Sequence, residues 1–488
     1  MRQVNAEQWS YSELLHFSAR LAAGLRARRL TPGERVILLA PNSIEWVTAC
    51  LALLEAGLIP VPVDSQISRD DLLHILEDSR SAWAFTTVLG AERLSRCEVS
   101  QRLRVVLLDR TGEHGLFWRE LLAEDSCEHP KVNSEDCAVL FYTSGTSGPP
   151  KGVPLSHANL LSNVAALLEE DLVRPDDRLL LPVPLHHVYP FVVGLLTPLS
   201  VGMSVILPRS LIGAHFFTAM NKGEVTILLG VPRLYTALLD AIEQGFEGRA
   251  RMLLSAFRVA MRVSIGARKA LRIDLGRWLF AALRHRIAPR LRLLVSGGSP
   301  LDLDLAQSLQ GLGWPVASGY GLTETSPILT LNLPGVCPVD SAGKPLPGVQ
   351  LRLAEPASGF RHGEVQAKGP NVFSGYRNLP DKTQEAFTAD GWFRTGDLGY
   401  FDKSSALYLV GRASSMIVLP GGENVVPENL EQILERSPYI GEIGVLEHGG
   451  RLVGVVVPER APGLLFDAGG AEQRIREEIV ALSQGLPS

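Results

Sequence analysis

An alternation constrains this chain more than any other feature. Short runs rich in Val, Ile and Leu are separated by stretches whose apolar residues recur at helical spacing. RVILLA at 35–40 reads as a buried strand, 43–54 as a helix and 59–63 as the next strand. Further strands are predicted over 104–108, 138–142, 204–207, 226–229 and 291–295. Strands and helices in turn imply α/β layers with largely parallel sheets, because a parallel strand is reached only by a crossover, usually helical. The 488 residues are enough for more than one hydrophobic core.

From about residue 335 the texture changes. Pro and Gly turns separate short strands in GKPLPGVQLRL and GEVQAKG, the pattern of a β-rich subdomain. Residues 411–424, GRASSMIVLPGGEN, read as a boundary of small residues, one Pro and paired glycines. A helix over 427–435 and strands near 443–446 and 452–457 follow. The expected organisation is therefore a large α/β region of layered sheets and helices over 1–411, with a β-rich subdomain over about 335–411. A small, incomplete α+β domain is expected over 412–488.

Composition excludes some functions. A net charge of −5 gives no global attraction to nucleic acid, and no nucleic-acid partner is expected. Cys50, Cys97, Cys127, Cys137 and Cys337 form no CxxC pair and no metal-ligand spacing, so reduced cytosolic thiols are expected. The start, MRQVNAEQWSYSELL, lacks a basic segment followed by an apolar run, and no stretch has the apolar length of a membrane span. A cytoplasmic protein, soluble or at most peripheral to a membrane, is expected. Residues 249–292 stand apart, with twelve Arg or Lys residues against one acid, Asp274. Leu253, Leu254, Phe257, Met261 and Ile265 recur there at helical spacing. Such a segment fits a basic amphipathic helix on an anionic membrane surface, or the solvated face of an ordinary α/β insertion.

The chemistry is concentrated in a few loops. CAVLFY runs into TSGTSGPPKG, and Ser156 is placed to cap a helix with Leu160, Leu161, Val164, Leu167 and Leu168 on one face. The expectation is a strand–loop–helix unit. Gly145 and Gly148 let the backbone bring N–H groups to an anion, Thr143, Ser144, Thr146 and Ser147 add hydroxyls, and Lys151 adds charge. Two prolines before the lysine and Gly152 after it exclude a Walker A loop. A flexible surface turn is the alternative to a phosphate site.

Residues 318–327, SGYGLTETSP, bracket Tyr320 with Gly319 and Gly321 and then place Glu324 between Thr323 and Thr325. A carboxylate flanked by hydroxyls suits Mg²⁺ shared with substrate phosphates, or merely caps a helix. Asp397, after Gly396 in GWFRTGDLGYFD, reads as a turn residue that binds sugar hydroxyls or holds its own turn.

Taken together and in order, YTSGTSGPPKG, PLHHVY, SGGSPL, GYGLTET and GWFRTGDLG with Gly411-Arg412 make the chain resemble the adenylate-forming (AMP-binding) superfamily across nearly its whole length. The family activates a carboxylate with ATP to an acyl-adenylate, then usually transfers the acyl group to a thiol. The resemblance implies that the segment from Thr143 to Lys151 holds the β- and γ-phosphates of ATP. It further implies that Thr143 and Glu324 bind Mg²⁺ and that Thr323 meets the α-phosphate. Gly297, Gly298 and Ser299 would frame the adenine and Tyr320 would stack on it. Asp397, helped by Arg412, would take the ribose. His187 would sit beside the carboxylate, with Val188, Tyr189, Val192 and Gly194 along the acyl tunnel. LRLLVSGGSPLDLDLAQSLQGLGWPVASGYGLTETSP and MIVLPGGENVVPENLE are similar to long-chain fatty acyl-CoA synthetases, which implies fatty acid and CoA as substrates.

Two departures accompany the resemblance. The hinge lysine and aspartate of the family are replaced by Ser414 and Ser415, and no lysine follows Lys403, whereas the family uses a C-terminal lysine to bridge the carboxylate and the α-phosphate. The implied consequence is a truncated C-terminal domain in which adenylation is slowed and ATP binding survives. Two other readings stay open: an acyl-adenylate ligase that loads a carrier protein or a lipid acceptor, and a non-catalytic ATP- or acyl-binding protein.

Overall fold

The expected strands close into sheets wherever their residues are buried on both faces. The structure is a computed structural model. It describes residues 7–97, 103–124, 130–143, 148–208, 210, 213–247, 251–355, 362–418, 424–425, 427–434, 437, 439–448, 451–458, 474–477 and 479. The first sheet is wholly parallel, in the order β2-β1-β3-β4-β5, from β1 (Arg35–Leu39), β2 (Ile59–Pro62), β3 (Trp83–Thr86), β4 (Arg104–Leu107) and β5 (Leu116–Phe117). Helices cover it, as a parallel sheet requires. The Tyr11–Ala27 helix starts at a capping box between Ser10 and Glu13. The Ile44–Glu55 helix buries Trp46 and Leu53.

Next comes an antiparallel hairpin, β6 (Cys137–Thr143) and β7 (Lys151–Ser156). This corrects the expected strand–loop–helix unit: KGVPLS is a second strand, with Pro154 paired to Leu140. The loop is a hairpin tip, one strand removed from the helix His157–Glu169 that Ser156 caps. Hence the dipole of that helix does not bear directly on the loop. Leu160, Val164 and Leu167 face the core as expected, but Leu161 is 62% exposed. Asn163 takes an inner position instead and donates to the Ile328 carbonyl.

The second sheet holds seven strands, β8 (Arg178–Leu180), β9 (Ser204–Ile206), β10 (Ile227–Gly230), β11 (Leu293–Ser296), β12 (Val316–Gly321), β13 (Ile328–Asn332) and β14 (Lys344–Pro345). Their order is β14-β13-β12-β11-β10-β8-β9. The pairs from β9 to β12 are parallel, and β13 and β14 run antiparallel at one edge. At the start of β8, Asp177 is nearly buried and accepts from Arg292 Nε (2.8 Å), Thr226 Oγ1 (2.6 Å) and the Arg174 amide (2.9 Å). Burial alone would raise its pKa; these bonds and the guanidinium bring it below the usual value.

The third sheet is β15 (Gln350–Leu353), β16 (Gly363–Lys368), β17 (Phe393–Phe401) and β18 (Leu407–Arg412). It realises the β-rich texture, with the stacked pair Tyr400 and Tyr408 on one face. The chain divides into two compact units, Met1–Gln350 with Ala367–Phe393, and Leu351–Gln366 with Arg394–Ser488. The second unit also contains the helix Pro427–Leu434 and the antiparallel strands Ile440–His448 and Arg451–Pro458. Four of the five cysteines are free thiols, and Cys127 lies outside the described residues. No helix among the described residues is long and apolar enough to cross a membrane.

Candidate active site

The hairpin carries the first set of expected residues. Ala138 through Phe141 are buried, so β6 anchors the hairpin, and its polar end brings Thr143 directly opposite Lys151. Gly148 has φ +116°, a conformation that only glycine adopts without strain. Ser144, Gly145, Thr146 and Ser147 lie outside the described residues.

The loop end of the hairpin is tied to the helix Arg69–Ser79. Asp78 accepts from the Tyr142 hydroxyl (2.6 Å) and from Asn378 Nδ2 (2.8 Å), and Arg377 Nε lies 3.5 Å from its carboxylate. The Arg377 amide donates to the Gly152 carbonyl at 2.8 Å, and a His74 ring nitrogen lies 2.9 Å from the Pro150 carbonyl. Burial first, and then the bond to Asp78, pushes the Tyr142 phenol well above its usual pKa.

Lys151 Nζ sits 4.6 Å from the centroid of the Tyr376 ring, a cation–π contact, and the Tyr376 hydroxyl donates to Glu324 Oε1 at 2.8 Å. Tyr376 thus joins the lysine of one motif to the glutamate of another. Burial and then the Glu324 charge raise its pKa, so it remains a donor. Thr383 Oγ1 accepts from the Tyr376 amide at 2.9 Å, which seats the ring.

Glu324 lies in the 3₁₀ turn Thr323–Thr325 and is 8% exposed. In this turn it is Thr325 Oγ1 that caps, accepting from the Leu322 amide at 2.9 Å, so capping does not occupy Glu324. Its second carboxylate oxygen has no hydrogen bond or ion pair among the described residues. The described residues contain no group of three or more His, Cys, Asp or Glu able to cage a metal. A single nearly buried carboxylate with a free oxygen fits Mg²⁺, which completes its shell with substrate phosphates and water.

The second sheet presents the remaining predicted residues of this unit. Gly297 follows β11 and is buried, whereas Gly298 and Ser299 are exposed. A side chain at Gly297 would meet the Tyr189 ring at 2.7 Å, so its absence lets the ring lie against the backbone. Gly319, Tyr320 and Gly321 end β12, with an irregularity in register between Tyr320 and Gly321. The Tyr189 hydroxyl donates to the carbonyls of Gly230 (3.2 Å) and Val295 (3.1 Å).

Tyr189 also walls a cavity with Leu167, Val193, Leu229, Val295 and Leu331, and no charged side chain lines it. Val188, Val192 and Gly194 are buried in the surrounding packing and do not line it. His187 is exposed, not a core histidine, and its ring lies 4.2 Å from that of His186. Enough protein surrounds both rings that desolvation lowers their pKa values, that of His186 to about 4 with a further contribution from His187.

In the second unit, Asp397 is nearly buried within β17 rather than in a turn, and Arg412 is its register partner on β18. Arg412 Nε lies 3.2 Å from Asp397 Oδ1. Sequence reasoning missed Tyr376, Arg377, Asn378 and Asp78. The run Gly375-Tyr376-Arg377-Asn378 just before the proline-led helix Pro380–Ala386 is a faint signal, and nothing local marks Asp78.

Comparison with known proteins agrees with this geometry. The family model for AMP-binding enzymes matches residues 3–377. The chain is 31% identical to the long-chain-fatty-acid–CoA ligase FadD15 of Mycobacterium bovis over 462 residues, 89% of this chain and 74% of that protein. It is 32% identical to a feruloyl-CoA synthase of an Amycolatopsis species over 467 residues, 94% of this chain and 85% of that protein. Its fold matches an o-succinylbenzoate coenzyme A synthetase of Bacillus subtilis in complex with ATP and magnesium ion. That match has a TM-score of 0.71 and 27% identity over 92% of this chain and 83% of the other. With the lysine, tyrosine and glutamate brought together at the loop end of the hairpin, the chain belongs to the AMP-binding enzymes and is an adenylate-forming acid–CoA ligase.

Proposed function

We propose that the acid activated is a fatty acid. The observation that carries this reading is the cavity behind Tyr189, whose walls are aliphatic apart from the Tyr189 ring, Thr197, Ser296 and Gly319. A second carboxylate, as in a dicarboxylic acid, would be desolvated there without a partner, at a cost of several kcal/mol. The cavity encloses about 30 Å³, so an alkyl chain would have to part these walls to enter, and it would gain from contact with them.

In this reading a carboxylate oxygen of the acid attacks the α-phosphorus of ATP. The P–O bond to pyrophosphate breaks, and the CoA thiol then displaces AMP from the acyl carbon. Lys151 and the hairpin amides offset the phosphate charge, and Glu324 with Thr143 would hold Mg²⁺, which supplies charge neutralisation at the phosphates. Thr323 meets the α-phosphate. Gly297, Gly298, Ser299 and Gly319 to Gly321 flank the adenine, with Tyr320 against its face. Asp397 and Arg412 take the ribose, and His187 faces the carboxylate. The domain boundary near 411–412 belongs to the same proposal.

The test is pyrophosphate release from ATP with a panel of acids: short to long fatty acids, malonate, o-succinylbenzoate and ferulate. Release that rises with alkyl length supports the reading. A preference for a dicarboxylate or for ferulate overturns it.

A further inference from the structure

The basic segment is left unexplained by the catalytic reading. Its helix, Arg251–Leu271, is amphipathic twice over. Of the stripe expected from sequence, Phe257, Met261 and Ile265 point inward, Leu254 is half-buried and Leu253 is exposed. Phe257 stacks on Phe246 with centroids 4.8 Å apart and meets Phe280 edge-on at 5.4 Å. Met261 and Ile265 lie against Gly311, and Ser264 Oγ donates to the Gly311 carbonyl at 2.8 Å. This helix is therefore seated on the core by its inner face.

A second apolar strip remains on the opposite side. Met252, Ala256, Val259, Val263 and Ala270 are spaced at i, i+4, i+7, i+11 and i+18, which places them on one line along the helix. All are exposed: Met252 by 80%, Val259 by 56% and Val263 by 53%. Leu271 at the helix end and Ile273, Trp278 and Leu279 beyond it are also exposed, Trp278 by 84%. That exposure is set by the fold. Gly276 packs so closely on the Gly311 carbonyl that a side chain would meet it at 2.1 Å, which fixes the turn carrying Trp278.

Cations accompany this apolar surface. Arg258 and Arg268 are paired with Glu243 and Asp274. Arg262, Lys269, Arg272, Arg277 and Arg286 are exposed and make no ion pair among the described residues. Arg262 and Lys269 follow one flank of the strip at helical spacing.

We propose that this face, from Met252 to Leu279, docks the enzyme on the surface of an anionic lipid bilayer. The charge is complementary to anionic headgroups, and long Arg and Lys stems reach them while the strip enters the acyl boundary. An exposed tryptophan next to apolar residues suits the interfacial depth, where its ring is apolar and its N–H stays wet. The proposal does not depend on which acid is activated.

The test is co-sedimentation of the full chain with vesicles of phosphatidylcholine alone or mixed with phosphatidylglycerol. Binding to the mixed vesicles is expected to exceed binding to the neutral ones by about tenfold or more. The double variant Val259→Glu with Val263→Glu and the triple variant Arg262→Glu, Lys269→Glu, Arg272→Glu should each lose about tenfold or more in partitioning. Acid-dependent pyrophosphate release and the thermal melt in detergent-free buffer should stay those of the unaltered chain, which reports that the variants fold. Failure to sediment with either vesicle, or equal sedimentation of variant and unaltered chain, overturns the proposal. A lipid-independent dimer that Val259→Glu with Val263→Glu dissolves also overturns it, in favour of a second copy on this face.

Discussion

Tyr376 shows how one side chain couples two motifs that are far apart in the sequence. Its ring lies beneath the Lys151 ammonium and its hydroxyl holds one oxygen of Glu324. The second oxygen has no hydrogen bond or ion pair among the described residues. Tyr376→Phe keeps the ring and removes only the hydroxyl. A hydrogen bond to a charged group contributes about 1.5–3 kcal/mol, so ATP–pyrophosphate exchange should fall by about tenfold or more, with the loss partly relieved by raised Mg²⁺. Glu324→Gln should cost about a hundredfold or more in the same assay. Exchange by Tyr376→Phe equal to that of the unaltered enzyme would show that the bond is dispensable.

At the scale of elements, the hairpin β6–β7 works because other elements clamp it next to its loop. Asp78 collects donors from β6 and from the segment before the Pro380–Ala386 helix, while Arg377 also holds the β7 backbone at Gly152. Asp78→Ala would leave the Tyr142 hydroxyl and Asn378 without their acceptor and Arg377 without its counter-charge. The expected outcome is about 2–3 kcal/mol of lost stability in urea and a KM for ATP raised several-fold, with kcat less affected. Asp78→Asn should recover much of the stability, since an amide oxygen still accepts. An unchanged KM for ATP in Asp78→Ala would mean that the clamp serves folding alone.

At the scale of the whole molecule, stability should depend on the histidines at His186 and His187. Both have pKa values held below the ordinary 6.5, His186 at about 4. As pH falls below about 6.5 the unfolded chain binds protons that the folded chain refuses. Stability that is complete above that value is therefore lost progressively towards pH 4. Urea midpoints measured at pH 7 and pH 5 should differ in that direction, and His186→Gln should shrink the difference. A midpoint difference untouched by His186→Gln would assign the acid sensitivity elsewhere.

What the sequence by itself determined is whatever depends on local pattern. The buried strands over 35–40, 138–142 and 291–295, the cap at Ser156 and the family motifs are each carried by a few consecutive residues, whose period or turn chemistry allows one conformation. The site's lysine, glutamate and aspartate were legible for the same reason. Tertiary structure alone decided the rest. β7 contains a proline, and only its pairing with β6 makes it a strand. Leu161 fits its helical stripe and still faces water, while Asn163, off that stripe, is buried with a partner at Ile328. Asp78, 64 residues from Tyr142 and 300 from Asn378, meets both only when the chain is folded. Of the two apolar strips on the Arg251–Leu271 helix, packing on Phe246, Phe280 and Gly311 chose which is core and left the other to the solvent. Periodicity marks that a helix has an apolar face; which face finds a partner is settled by what the rest of the chain places beside it.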